Sequence, residues 1–294
     1  MKESSMNIIT ITEPITQGRL TTATTDNEIL KRWASQKSSA TQKTYFYIVR
    51  NFMAAIAKPL NQITLDDLLD WLDSLQWQSQ NTRRNKIAVI RSLFGFCHAT
   101  GYITLNPAKL LQQPKENDCR IERIITKPKV QAMAMNADTL RNELIIKTLY
   151  LLGVRVSELI NIRWDDFIQT DDNGLKLKVM GKGDKVRFIV VPTGLWDELE
   201  ALRNDSAYVF SSRKGNNGSK LSRIQVYRVV KANGDRVGVQ VSPHFLRHSH
   251  ATHSLKNGCD LHLLSESLGH GNIAITSRYL HASGDDGSAN YLSL

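Results

Sequence analysis

Six residues of this chain have the types that an attack on a phosphodiester needs: Arg155, Lys182, His244, Arg247, His270 and Tyr279. Phosphoryl transfer builds charge on the non-bridging oxygens, and a guanidinium holds two of them in a planar fork. His244 and Arg247 stand three residues apart, just after Ser242-Pro243. At the start of a helix that spacing puts both on one face, where the helix N-terminus also favours an anion. Arg155 sits among apolar neighbours in Leu151-Leu152-Gly153-Val154-Arg155-Val156-Ser157-Glu158-Leu159. A cation there is costly to bury without a partner, and Glu158 is one helical turn away. Lys182, between Gly181 and Gly183, is placed to bring a proton to a leaving oxygen. Tyr279 is the candidate nucleophile. A phenol with a pKa near 10 reacts only when cations and a base surround it, and the other five residues supply those.

Each of these residues also has an ordinary explanation. A His and an Arg three apart occur by chance, a helical Arg pairs with a Glu on the surface, a Gly-Lys-Gly triplet makes a turn, and a helical Tyr packs. Tyr291 is a second phenol but has no neighbouring motif. His244, His248, His250 and His253 raise a metal alternative, yet no His-Glu-x-x-His pattern is present and His250 leaves the face of the first two. Gly181-Lys182-Gly183 fails the nucleotide P-loop pattern, so nothing implies ATP.

The elements that must position these residues are read from periodicity. In the first part, apolar spacing predicts helices beginning after an Asp26 cap, around Tyr45–Ile56, after Thr64 or Asp66, and from Asn81 to Thr100. The last carries Arg83, Arg84, Lys86 and Arg91, a stripe suited to DNA phosphates, although a charged helix face is often only solvated. Asn106-Pro107 closes this bundle, and Gln112 to Arg123 reads as a linker. Helices are expected over Lys127–Ala137, Thr139–Leu152 and Val156–Arg163. Leu175, Leu177 and Val179 then alternate with lysines, and Val186, Phe188, Val190 and Val191 supply a partner strand. The Gly181–Lys185 stretch joins them as a β-hairpin. Helices follow at 194–203, at 221–233 and after Ser242. The fold is therefore expected to be mainly α: a helical bundle, then a mostly helical domain with one small antiparallel sheet.

The chain has 294 residues, which suggests two domains, and 41% of them are hydrophobic. It carries 38 Lys and Arg against 28 Asp and Glu. The excess is +5 up to Asn117 and +5 after it, so both halves suit a polyanion. No apolar run approaches the ~18 residues of a membrane span. Met1 to Leu20 lacks the apolar core of a secretory signal. Three scattered cysteines, Cys97, Cys119 and Cys259, form no disulfide or zinc framework, so a reducing, cytoplasmic setting fits.

Together, Arg155 in Gly-Val-Arg-Val-Ser-Glu-Leu, Lys182 in its hairpin, His244-x-x-Arg247, Leu268-Gly269-His270 and Tyr279 resemble the tyrosine recombinase (phage integrase) family, its Xer-type members most closely. The resemblance spans Asp26 to His281. Residues 1–25, Thr-rich and without a sustained period, read as a flexible arm, longer than a minimal Xer protein needs; the resemblance implies a SAM-like core-binding DNA-binding domain over 26–112, a linker over 113–123, and a catalytic domain with a C-terminal tail over 124–294. It implies site-specific cleavage and rejoining of DNA with no cofactor and no metal. Arg155 and Arg247 would clamp the scissile phosphate, with Glu158 supporting Arg155. Lys182 would protonate the leaving 5′ oxygen and His244 would serve as acid/base for Tyr279. His270 would bond a phosphate oxygen, and Tyr279 would form a 3′-phosphotyrosyl link. The implied partner is double-stranded DNA with paired sites, bound as a dimer per site and a tetramer in all, with or without a second recombinase. Tyr291, Leu292 and Leu294 would dock on a neighbouring protomer. A type IB topoisomerase-like relaxing enzyme and a non-catalytic architectural DNA-binding protein are the alternatives.

Overall fold

The structure is a computed structural model that describes residues 19–76, 78–114, 124–171, 174–181, 185–212, 218–270, 272–277 and 279. Lys182 and the tail residues Tyr291, Leu292 and Leu294 lie outside the described residues. The chain divides into two compact units, Met1–Asn117 and Asp118–Leu294.

The first unit is a helical bundle of α1 (Asp26–Ser35), α2 (Ser39–Ile56), α3 (Leu65–Asp73) and α4 (Gln80–Ala99). The cap of α1 is Thr25, not Asp26. Thr25 Oγ1 accepts from Glu28 N at 3.3 Å while Glu28 Oε2 accepts from Thr25 N at 3.3 Å, a capping box that displaces the expected cap by one residue. Asp26 is freed for long-range work: its carboxylate accepts from Tyr102 Oη at 2.7 Å and from Leu60 N at 3.0 Å. Thr64 caps α3 through the same kind of box with Asp67. Trp33, Phe52, Leu68, Ile90, Leu93 and Phe94 fill the core, with Phe52 edge-on to both Trp71 and Phe94. Phe96, expected inside, is only half-buried, and Phe94 and Cys97 take the interior positions. Part of the stretch expected to be a flexible arm is held on the bundle. Ala23 is buried, Leu20 N donates to Thr100 O, and Arg32 donates to the hydroxyls of Thr21 and Thr22.

The second unit is built around α6 (Leu140–Leu151), whose Leu144, Ile145, Ile146 and Leu149 are fully enclosed. A helix buried along most of its surface sits in the middle of its unit, and α6 touches α5 (Lys127–Met135), α7 (Val156–Leu159), α8 (Thr193–Glu200), α9 (Arg223–Arg236) and α10 (Pro243–Lys256). Helix α7 is four residues, shorter than expected. Arg163 leaves it to bridge Tyr208, and Val209 N donates to Ile162 O, so tertiary pairing claims backbone that a longer helix would have used. α11 (Leu261–Leu268) and α12 (Ile273–Ser277) follow α10.

The sheet is antiparallel in the order β1 (Phe167–Gln169), β2 (Leu175–Met180), β3 (Val186–Val190). β1 was not anticipated, since three residues give no readable alternation. Leu177, Val179 and Ile189 face the core, while Phe188 and Val190 are 54% and 68% exposed. Val179 pairs with Arg187, so this arginine lies on the inner face.

Candidate active site

Arg155 is presented by the turn that starts α7. Its backbone N donates to Glu158 Oε2 at 2.7 Å and its Nη1 to Glu158 Oε1 at 3.0 Å. Nη1 and Nη2 also lie 3.5 and 3.4 Å from the carbonyls of Leu268 and Gly269. The side chain of Arg155 is 33% exposed, that of Glu158 only 4%. The turn depends on Gly153, whose φ is +59° and whose absent Cβ would lie 2.6 Å from His250 Cδ2.

Glu158 has a second partner that the sequence reading missed. Arg187, from the inner face of β3, donates Nη1 to Oε1 at 3.0 Å and Nη2 to Oε2 at 2.8 Å. Its Nε donates to Ser267 O at 2.7 Å. The period-2 position of Arg187 beside Ile189 and Val191 was the available signal.

Arg247 projects from α10 and is buried. Its Nη1 donates to Gly153 O, and its Nη2 donates to Leu268 O at 2.7 Å and to His270 Nε2 at 3.1 Å. A guanidinium only donates, so His270 Nε2 accepts. The ring proton is then on Nδ1, which donates to Thr276 Oγ1 at 2.8 Å. Gly269 gives the left-handed C-cap of α11 that turns the chain into His270.

Tyr279 is 4% exposed. Its hydroxyl is hydrogen-bonded to His248 Nδ1 at 2.7 Å, and its ring stacks near His270 with centroids 6.4 Å apart. His248 had figured in the sequence only as part of a metal alternative. It stands one turn beyond His244, which occupies an exposed position in the first turn of α10. The structure thus gathers Arg155, Glu158, Arg247, His270 and Tyr279, and adds Arg187 and His248.

The electrostatics are uneven. Burial pushes the Glu158 carboxyl up, but hydrogen bonds from Arg187 and from the Arg155 backbone outweigh it, so Glu158 stays below the ordinary range and ionised. Burial, helped by the Arg155 charge, brings Arg247 down to about 9, still protonated at neutral pH. Burial and the charges of Arg247 and Arg155 lower His270 to about 4, which keeps its ring neutral. The whole suits an anion held between two guanidinium groups beside a phenol.

In the other unit, α4 carries Arg83, Arg84, Lys86 and Arg91, but not on one face. At a helical period, Arg83 and Lys86 share the side of the buried Ile87, Ile90 and Phe94 and are half-buried themselves. Arg84 and Arg91 lie together at the edge of that side, and Arg91 Nη1 donates to Leu111 O at 3.2 Å.

A family model described as the phage integrase family matches residues 120–285. The chain is 32% identical over 263 residues to tyrosine recombinase XerA of Pyrococcus horikoshii, covering 86% of this chain and 89% of that one. A lambda integrase dimer bound to a COC' core site matches with TM-score 0.73 at 18% identity, covering 90% of this chain and 79% of that one. A lambda integrase tetramer bound to a Holliday junction matches with TM-score 0.73 at 17% identity, covering 89% and 79%. At those identities the structural likeness is one of fold.

Proposed function

The chain belongs to the phage integrase family of tyrosine recombinases, and from that premise we propose that it cuts and rejoins DNA at specific sites through a covalent bond to Tyr279. The observation that carries this is the Tyr279 hydroxyl, 2.7 Å from an imidazole nitrogen, in a pocket whose ring neighbour His270 is bonded to Arg247. In this reading Arg155 and Arg247 hold the scissile phosphate and neutralise its developing charge. The phosphate takes over donors that Arg247 now gives to His270 and to carbonyls. A histidine of α10 accepts the phenol proton, His244 by resemblance, with His248 already at the hydroxyl. The Tyr279 Oη–P bond forms as the P–O5′ bond breaks, and Lys182 gives its proton to the leaving oxygen. The phosphodiester energy is kept in the 3′-phosphotyrosyl bond, so rejoining runs the same steps backwards and needs no cofactor.

The helical unit from Asp26 to Gln112 is the core-binding domain in this reading, with Arg83, Arg84, Lys86 and Arg91 as its DNA-facing cations. Residues 124–294 are the catalytic domain. The DNA is double-stranded with paired sites, each bound by a dimer and the pair by a tetramer. The dimeric and tetrameric lambda integrase complexes on DNA support that stoichiometry by likeness of fold. A cytoplasmic setting belongs to the same proposal, and no described helix is long and apolar enough to cross a membrane.

A nicked suicide substrate tests the chemistry. The parent chain is expected to form a covalent protein–DNA adduct and Tyr279→Phe none; an adduct that survives the substitution refutes the assignment. Holliday junctions formed on paired sites separate a recombinase from a relaxing enzyme.

A further inference from the structure

Arg187 lies outside the six residues that do chemistry, yet its environment is far more constrained than that of Arg155. Its side chain is 11% exposed, against 33% for Arg155. Each of its three nitrogens has an acceptor: Ser267 O for Nε, and the two oxygens of Glu158 for Nη1 and Nη2. Residue 269 must be small for this to fit. A Cβ there would lie 3.1 to 3.3 Å from Arg187 Cδ, Nη1 and Cζ. The arginine therefore ties β3 to α7 through Glu158 and to the end of α11 through Ser267.

The consequence falls on Arg155. An isolated arginine and carboxylate favour a bidentate pair, fork to fork. Here the fork-to-fork partner of Glu158 is Arg187. Arg155 is left with one side-chain contact, Nη1 to Oε1, and its Nη2 turns to Gly269 O at 3.4 Å, on the more open side.

We propose that Arg187 is a positioning residue for DNA cleavage: by occupying both oxygens of Glu158 it keeps the Arg155 guanidinium available to the scissile phosphate. This rests on the recombinase reading above. Without Arg187, Glu158 takes Arg155 in a bidentate pair and spends its charge before the phosphate arrives. The prediction is specific in sign, because Glu158 then turns from a support into a competitor.

Single-turnover cleavage of a suicide substrate by the full chain tests it, with DNA affinity and circular dichroism measured alongside. Arg187→Met is expected to cleave about a hundredfold more slowly, the scale of losing one preorganised charge contact, at an affinity within about twofold of the parent. Adding Glu158→Gln to Arg187→Met is expected to recover roughly tenfold, since the competitor loses its charge. A substrate with a neutral methylphosphonate at the scissile position asks less of Arg155, so on it the Arg187→Met deficit should shrink to about threefold. Arg187→Lys keeps the charge without the fork and serves if the Met variant does not fold. It should show the same relief by Glu158→Gln and by methylphosphonate, to a smaller extent. A purely structural role for Arg187 predicts additive losses with Glu158→Gln and equal deficits on both substrates; that result overturns the proposal, as does parental cleavage by Arg187→Met. A parent chain that forms no adduct overturns the recombinase reading itself, and this proposal with it.

Discussion

The two guanidinium groups of the site sit in opposite electrostatic surroundings. Around Arg155 the charges are compensated: a buried carboxylate stands between it and Arg187. Around Arg247 the acceptors are the carbonyls of Gly153 and Leu268 and the neutral ring of His270. The first arrangement holds side chains in place. The second keeps a buried cation without a directly bonded carboxylate among the described residues, at a cost to folding that the phosphate of the proposed reaction would relieve. One half of the proposed clamp is thus built for geometry, the other for charge.

The sharpest way to break this contrast is to replace each half. Arg247→Met should slow single-turnover cleavage on the order of a thousandfold while leaving stability within about 1 kcal/mol of the parent, because the lost carbonyl bonds are offset by relief of desolvation. Denaturant melts beside cleavage rates check this; strong destabilisation would show that the carbonyl cage alone compensates the charge. Glu158→Gln should do the reverse to the fold, costing about 3 kcal/mol in the same melts, because it leaves Arg187 buried beside a neutral amide.

Acid should separate the two halves as well. His270 and His250 titrate at about 4 in the folded chain, pushed down first by burial, against about 6.5 when unfolded. Between those values the unfolded chain holds the protons, so stability is complete above pH 6.5 and falls as pH drops toward 4. The loss approaches about 1.4 kcal/mol per pH unit for each histidine, and His270→Gln should remove one histidine's share. Glu158, whose pKa is lowered, contributes stability above its unfolded value near 4.5 and loses it only below. Melts from pH 7.5 to 3.5 should therefore lose the histidine side first; a flat response down to pH 4.5 would contradict the buried neutral rings. The smallest expected effect lies in the other unit. Arg84→Ala and Arg91→Ala should each reduce the slope of log affinity against log salt by about one if each meets a phosphate. An unchanged slope would remove that arginine from the interface.

The sequence made the first half of this contrast partly legible and the second half more so. Arg155 and Glu158 are a local pair, three residues apart, and the capping turn at the start of α7 brings them together. Arg247 and His270 come from separate segments and were joined only through motif order. Arg187 stayed hidden for a reason of register. Val186, Phe188 and Val190 read as the apolar face of a strand, but the sheet turns them outward and points Arg187 and Ile189 in. Hydrophobicity decides between the faces of a strand only when the inner face is uniformly apolar, and this one carries a charge needed at the site. His248 was hidden differently. Its spacing from His244 was visible, but its bond to Tyr279 depends on how α12 returns to α10, which no local pattern encodes. The cap of α1 shifted by one residue because Thr25 and Glu28 cap each other reciprocally, leaving Asp26 to bind Tyr102 and Leu60 across the bundle.

Gly153 has a consequence for motion. It bends the chain toward Arg155, leaves no room for a side chain under His250 of α10, and lends its carbonyl to Arg247 of that same helix. The two arginines therefore share a knuckle. A displacement of α10 would carry the Arg155 turn along with it, so the two arginines move together unless the bend at Gly153 itself gives way.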